Sequence, residues 1–294
     1  MPAAEIAGAP YDKLIIGPVT TLGEMMMGGH WLEMLKVQRQ AGTYPSYGAA
    51  ARHMWQQLGI AGFYKGFFPY GALQGLYKGV PVLFTQDVVK RRLVSSGWDQ
   101  RYAGVGAGVA AGMVQGAFVA PTQRLKSMIA TNPEAGAMST GLIAQVIKTE
   151  GVQTVFKGTS ATVVRRGIDW GMRFYGKELF ERVLRARKKA NGQPEKLSAA
   201  ESFAAGLFGG LCCSINHPLD VFVANLQKHR VLPLSPGGVA AELMAEARAK
   251  GFFAVFYRGV AMRCLHASYH TAWMAGLGGY ISEMWHARNK AAVQ

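Results

Sequence analysis

The chain has 294 residues, half of them hydrophobic and 17% charged, with a formal net charge of +15. Its basic residues stand at segment ends and singly within apolar stretches, which argues against a nucleic-acid-binding stripe and for contact with anionic lipid or an anionic substrate. The three cysteines include the adjacent pair Cys212-Cys213 in an apolar run, with no disulfide or zinc spacing, and read as reduced, buried thiols.

Met1 to Pro10 is short and lacks an Arg-rich amphipathic presequence, so any targeting information is expected to be internal. Ile15 to Lys36 is apolar, rich in Gly and Met, and predicts a helix interrupted by Glu24 and Glu33. Tyr44-Pro45-Ser46 breaks it, with Ser46 a candidate cap for a short amphipathic helix ending at Leu58. A second long helix is expected over Phe67 to Val94. Tyr102 to Gln123 then runs 22 residues without a formal charge, and Ser202 to Leu219 runs 18. Both reach roughly the 18–20 residues that cross a hydrocarbon core. Gly104, Gly108, Gly112 and Gly116 recur every fourth residue and share a helix face, where small residues allow close backbone approach. A short helix over Ser139 to Lys148 and a long one over Ala161 to Lys188 follow. A polar linker, Lys188 to Lys196, precedes the last third. That part holds a short helix from Ser235-Pro236 to Lys250 and a final span over Val260 to Trp285.

One unit occurs three times. Pro121-Thr-Gln123-Arg-Leu-Lys126 is followed by Gly151-Val-Gln-Thr-Val-Phe156-Lys157-Gly158. Trp31-Leu-Glu33-Met-Leu-Lys36 is followed by Gly59-Ile-Ala-Gly-Phe-Tyr64-Lys65-Gly66. Pro218-Leu-Asp220-Val-Phe-Val223 is followed by Gly251 and, after five residues, by Tyr257-Arg258-Gly259. The closing glycines lie 92 and 101 residues apart (158 − 66 and 259 − 158), a spacing that marks an internal repeat. Pro121 and Pro218 are expected to kink their helices. Residues three apart share a helix face, so the acidic or polar residue and the base beyond it could join three such helices in a ring of ion pairs.

This unit resembles the signature of the mitochondrial carrier family, Pro-x-acidic-x-x-basic followed by Gly-x-x-x-x-aromatic-basic-Gly, and the resemblance spans nearly the whole chain. It implies an all-α membrane protein: six transmembrane helices in three pseudo-threefold repeats, with three short matrix helices, in the inner mitochondrial membrane. The expected division is an N-terminal tail at 1–10 and repeats at 11–98, 99–190 and 191–294. The third unit has one residue more than the signature between Gly251 and Tyr257.

The resemblance implies a matrix gate of Glu33, Lys36, Lys126 and Asp220, pairing Glu33 with Lys126 and Asp220 with Lys36. Gln123 and Val223, which replace an acid and a base of the signature, would then face each other and strand no buried charge. Trp31 stands where proline is expected. A cytosolic gate would use Asp87, Lys90, Glu178 and Glu283. It looks weak, since Glu181 and His286 stand where bases are expected, which predicts a cytosol-open state when empty. The alternative is that these groups are solvated helix ends.

Within the family, Lys78 to Phe84, Arg165 to Phe174 and Gly23-Glu24 are similar to segments of the fungal citrate/2-oxoglutarate carriers. The implied substrate contacts are Gln74, Lys78, Val82, Arg165, Arg166 and Arg263, a cationic set suited to a small carboxylate. Asp169 could instead neutralise Arg165 or Arg166. His266 and His270, one turn apart, could tune proton coupling or simply pack. Gly66, Gly158 and Gly259 resemble cardiolipin-headgroup sites, because each opens a helix whose first amides are free.

The function implied is exchange of small carboxylates by alternating access. A carrier-fold subunit of a larger inner-membrane complex, with little or no transport, is the alternative. No nucleophile–base pair, phosphate loop or metal-ligand spacing points to an enzyme, a cofactor or a metal, and no nucleic-acid partner is expected.

Overall fold

A computed structural model describes residues 11–132, 135–136, 140–228, 234–273 and 284. Among the described residues all regular structure is helical. The helices are α1 (Tyr11–Glu24), α2 (His30–Gln40), α3 (Tyr47–Leu58), α4 (Ala72–Tyr77), α5 (Val80–Ser95), α6 (Gln100–Thr131) and α7 (Thr140–Glu150). They continue with α8 (Thr159–Ala190), α9 (Ala199–Cys212), α10 (His217–Gln227), α11 (Pro236–Lys250), α12 (Phe252–Phe256) and α13 (260–273).

The first span is α1 joined to α2 through a π segment, Met25–Gly29, and it bends at Gly28 (φ 145°). Only glycine reaches that conformation cheaply. The bend therefore comes just before Trp31 and does not depend on a proline there. Trp31 packs against the rings of Phe63 and Tyr64, at 5.5 and 5.9 Å between centroids. The expected single helix over Phe67 to Val94 is divided at Lys78-Gly79, two residues before Pro81. A proline has no N–H to give and its ring crowds the preceding turn. At Pro121, by contrast, α6 continues as one helix. Pro218 sits in the first turn of α10, after a 3-10 turn at Cys213–Asn216, where its missing N–H costs nothing.

Local caps set the ends of the shorter elements. The Ser46 hydroxyl accepts from Ala49 N at 3.1 Å, Ser235 accepts from Gly238 N, and Ser198 with Glu201 forms a reciprocal capping box on α9. Each short helix buries its apolar face on the end of a long one. Met54 of α3 meets Met34 and Ala130; Ile143 and Val146 of α7 meet Met128 and Ile129; Val239 and Leu243 of α11 meet Val221 and Leu226.

Packing between α6 and α8 explains the glycine row. A Cβ on Gly108 would collide with the Phe174 ring, on Gly112 with the Arg166 carbonyl oxygen, and on Gly116 it would lie 2.8 Å from Val163 Cα. Gly104 faces open space and takes no part. Large apolar side chains are exposed along the long helices, among them Met27, Phe118 and Ile215, while Glu24, Gln74, Arg165, Asp220 and Arg263 are buried. An apolar exterior around buried ionisable groups suits a bundle solvated by lipid. By length and composition, Gln100–Thr131 and the stretch Ala199–Gln227 can each cross a membrane.

Candidate functional site

The bundle is tied together at the end that carries the short helices. The last carbonyls of an α-helix lack partners within it, and here the helix ends exchange side chains to satisfy them. Gln38 of α2 donates to the Ala130 carbonyl of α6 (3.1 Å). Arg124 of α6 donates to the Leu226 carbonyl of α10 (2.9 Å). Asn225 of α10 donates to the Gln40 carbonyl of α2 (3.0 Å). The three bonds make a closed ring. His30 Nε2 lies 3.1 Å from the Lys65 carbonyl oxygen, and His217 Nε2 3.0 Å from that of Arg258. These braces were not anticipated, although His30 and His217 hold matching places immediately before Trp31 and Pro218.

Above this ring lie the groups expected at a gate. Lys126 Nζ is 2.7 Å from Glu33 Oε1, the expected pair, and also 2.8 Å from Gln74 Oε1. Gln74, expected among the substrate contacts, is therefore bonded to the gate lysine. The expected Asp220–Lys36 pair is replaced. Asp220 takes Arg165 (Nη1 to Oδ1, 2.7 Å) and Arg263, with His217 Nδ1 at 3.5 Å. Asp169 completes the cluster, 2.7 Å from Arg263 and 3.3 Å from Arg165, and Asn216 donates to it at 3.2 Å. Two planar guanidinium forks can each serve two carboxylates, a geometry a lysine ammonium cannot reproduce. Gate order along the repeats considers only the odd-numbered spans, whereas Arg165 and Arg263 reach across from α8 and α13.

The result is a compact cluster of two arginines and two aspartates with no net charge. Arg165 and Arg263, expected as substrate contacts, are already neutralised, Arg165 in part by Asp169 as the alternative reading has it. Lys36, Lys78 and Arg166 are half-buried and form no ion pair among the described residues; Arg166 meets only Gln123 Oε1, at 3.5 Å. Gln123 and Val223 therefore do not answer each other simply: Gln123 turns toward Arg166, and Val223 is 2% exposed. Val82 is likewise buried.

At the opposite end, Asp87 pairs with Arg91 of its own helix, and Glu178 with Arg101 and Arg182. Lys90 joins no ion pair among the described residues, and Glu283 lies outside them. Gly66, Gly158 and Gly259 all take positive φ (70°, 81° and 92°), and each closes on a neighbouring span. A Cβ there would approach the Lys126 carbonyl, Leu226 and Gln40, respectively. Two of the basic residues before these glycines point into the protein: Lys65 Nζ donates to the Asn132 carbonyl at 2.8 Å, and Arg258 donates to Gln40 and Glu246.

An all-α bundle with an apolar exterior, a buried Glu33–Lys126 ion pair and cations in its interior fits the architecture of a membrane carrier. Residues 97–188 match the family model described as mitochondrial carrier protein. The chain is similar to the citrate/oxoglutarate carrier protein of Saccharomyces cerevisiae, 25% identical over 93% of this chain and 90% of the other. It is also similar to a probable mitochondrial phosphate carrier protein of Schizosaccharomyces pombe (26%, over 80% and 79%). The mitochondrial 2-oxodicarboxylate carrier of Homo sapiens is 29% identical over 69% of this chain and 71% of its own. Over residues 97–188 by the family model, and over most of its length by these relatives, the chain is similar to mitochondrial carriers.

Proposed function

We propose that this protein exchanges small di- and tricarboxylates across the inner mitochondrial membrane by alternating access. The observation that carries this reading is the set Lys36, Lys78 and Arg166, half-buried and in no ion pair among the described residues. Cations at that depth are costly unless an anion or water meets them, and a multivalent carboxylate answers several at once. Arg165 and Arg263 would join as the substrate competes with Asp169 for them. The ring of Gln38, Arg124 and Asn225 with the Glu33–Lys126 pair closes the matrix end, whereas the far-end pairs Arg101–Glu178 and Lys188–Glu201 are more exposed, which suits a cytosol-open state. The free first-turn amides beyond Gly66, Gly158 and Gly259 are the places for an anionic lipid such as cardiolipin.

A second reading, a carrier-fold subunit of a larger membrane assembly, draws on the self-neutralised cluster of Arg165, Arg263, Asp169 and Asp220. Proteoliposomes loaded with 2-oxoglutarate separate the two. Saturable uptake of citrate that requires the internal counter-anion, and falls at least tenfold in Arg166→Ala (about 1.4 kcal/mol), supports exchange. Uptake of inorganic phosphate alone moves the substrate class. Folded protein that takes up no anion sinks the transport reading and leaves the subunit.

A further inference from the structure

Glu24 ends α1, where the first span enters its π segment, and is 1% exposed. It packs so closely over Gly29 that a Cβ there would collide with its carboxylate. Its two oxygens face different rings of α13: Oε1 is 3.7 Å from His266 Nε2 and Oε2 is 3.6 Å from His270 Nδ1. His266 and His270 lie one turn apart, so both project from one face. Oε1 has no hydrogen-bond partner. A buried carboxylate left in this condition favours a proton or a cation beside it. The imidazole side chains are 23% and 34% exposed, whereas the carboxylate behind them is 1% exposed.

We infer that Glu24, His266 and His270 form a proton-binding site that loads together with the transported anion. This rests on the transport reading. A proton delivered by hydronium forms an N–H bond on one imidazole and leaves water behind; the carboxylate between the rings holds the resulting imidazolium, and the same proton returns to water on the other side. The other charged groups facing this site are Lys78 beyond α4, Lys36 and Glu33 of α2, Arg173 of α8 and Tyr269 of α13. Lys78 decides the coupling, because it acts on both Glu24 and His270 and has no ion-pair partner among the described residues. Its ammonium opposes a second positive charge on His270. A carboxylate bound at Lys78 cancels that opposition, so anion binding favours protonation, and by reciprocity the proton favours the anion. One accompanying proton would also let a trianion exchange for a dianion without net charge movement.

The test uses the full chain in proteoliposomes with a pH-sensitive dye trapped inside and labelled citrate outside, exchanging against 2-oxoglutarate. Internal acidification should accompany citrate entry, and the protons moved per citrate should fall at least fivefold in Glu24→Gln and in His270→Asn. A ratio unchanged in Glu24→Gln means that any proton rides on the substrate and overturns the site. A second readout does not need transport: the pH profile of diethylpyrocarbonate modification at His266 and His270, followed by mass spectrometry. Removing the carboxylate should move the midpoints by about one pH unit or more, as expected for an opposite charge at this distance. Unmoved midpoints overturn the site. Moved midpoints in a protein that exchanges no citrate retain the proton site and refute only the transport reading.

Discussion

Replacing Asp169 with asparagine keeps the side chain's shape and removes one of the two negative charges that hold Arg165 and Arg263. Both contacts are short, 2.7 Å to Arg263 and 3.3 Å to Arg165, and the arginine side chains are each about 10% exposed. Removing one partner of a buried pair typically costs roughly 3–5 kcal/mol, and because both arginines keep Asp220 the loss falls at the lower end, about 3 kcal/mol. At roughly 2–4 °C per kcal/mol for a chain of comparable size, the melting midpoint in detergent should drop by about 6–12 °C. Citrate should recover most of that loss in Asp169→Asn, since a ligand at a hundred times its dissociation constant contributes about 2.7 kcal/mol. The wild-type protein should gain less, because its own aspartate must first give way. A variant that melts within about 2 °C of wild type, with an unchanged citrate response, would refute the argument that Asp169 serves as the counter-ion an incoming carboxylate displaces.

Three further outcomes follow from the packing. Gly112→Val should force α6 away from the Arg166 carbonyl and cost about 1–3 kcal/mol as overpacking, read as a lower midpoint, whereas Gly104→Ala, with open space before it, should melt like wild type. Asn225→Ala removes the side chain that bonds both Gln40 and Val221; the expected cost is about 1–3 kcal/mol, with faster thiol labelling of a cysteine placed at the short-helix end. Burial pushes the Lys65 ammonium down to about 8. Its folded pKa lies below the unfolded one, so the charged form carries a penalty that is complete below about pH 8. That penalty is relieved as pH rises toward the ordinary lysine value of roughly 10.4. Stability measured across that window should therefore rise with pH more steeply in wild type than in Lys65→Met; parallel curves would remove Lys65 from the account.

Much of the helix plan was legible because its causes are local. Ser46 and Ser235 cap the helices that follow them within three residues, and a glycine every fourth residue places small side chains on one face of α6 whatever lies opposite. The Glu33–Lys126 pair was expected from the family resemblance, which pairs the acid of one unit with the base of the next. The division of the second span at Lys78-Gly79 was missed although Pro81 stood in view, because a proline can either kink a helix or begin a new one and the surrounding hydrophobic pattern does not choose.

The sequence alone therefore determined the unit, its threefold recurrence as an expectation, the residues able to turn or cap the chain, and the excess of positive charge that an interior must answer. Tertiary structure decided which charges answer which. Asp220 lies 55 residues from Arg165, and Asp169 lies 94 from Arg263; their pairing depends on how α8, α10 and α13 converge. The same holds for Glu24 between His266 and His270 and for the ring through Gln38, Arg124 and Asn225. Hydrogen bonds and ion pairs act over a few ångströms, and only packing brings residues so distant in the chain within that range.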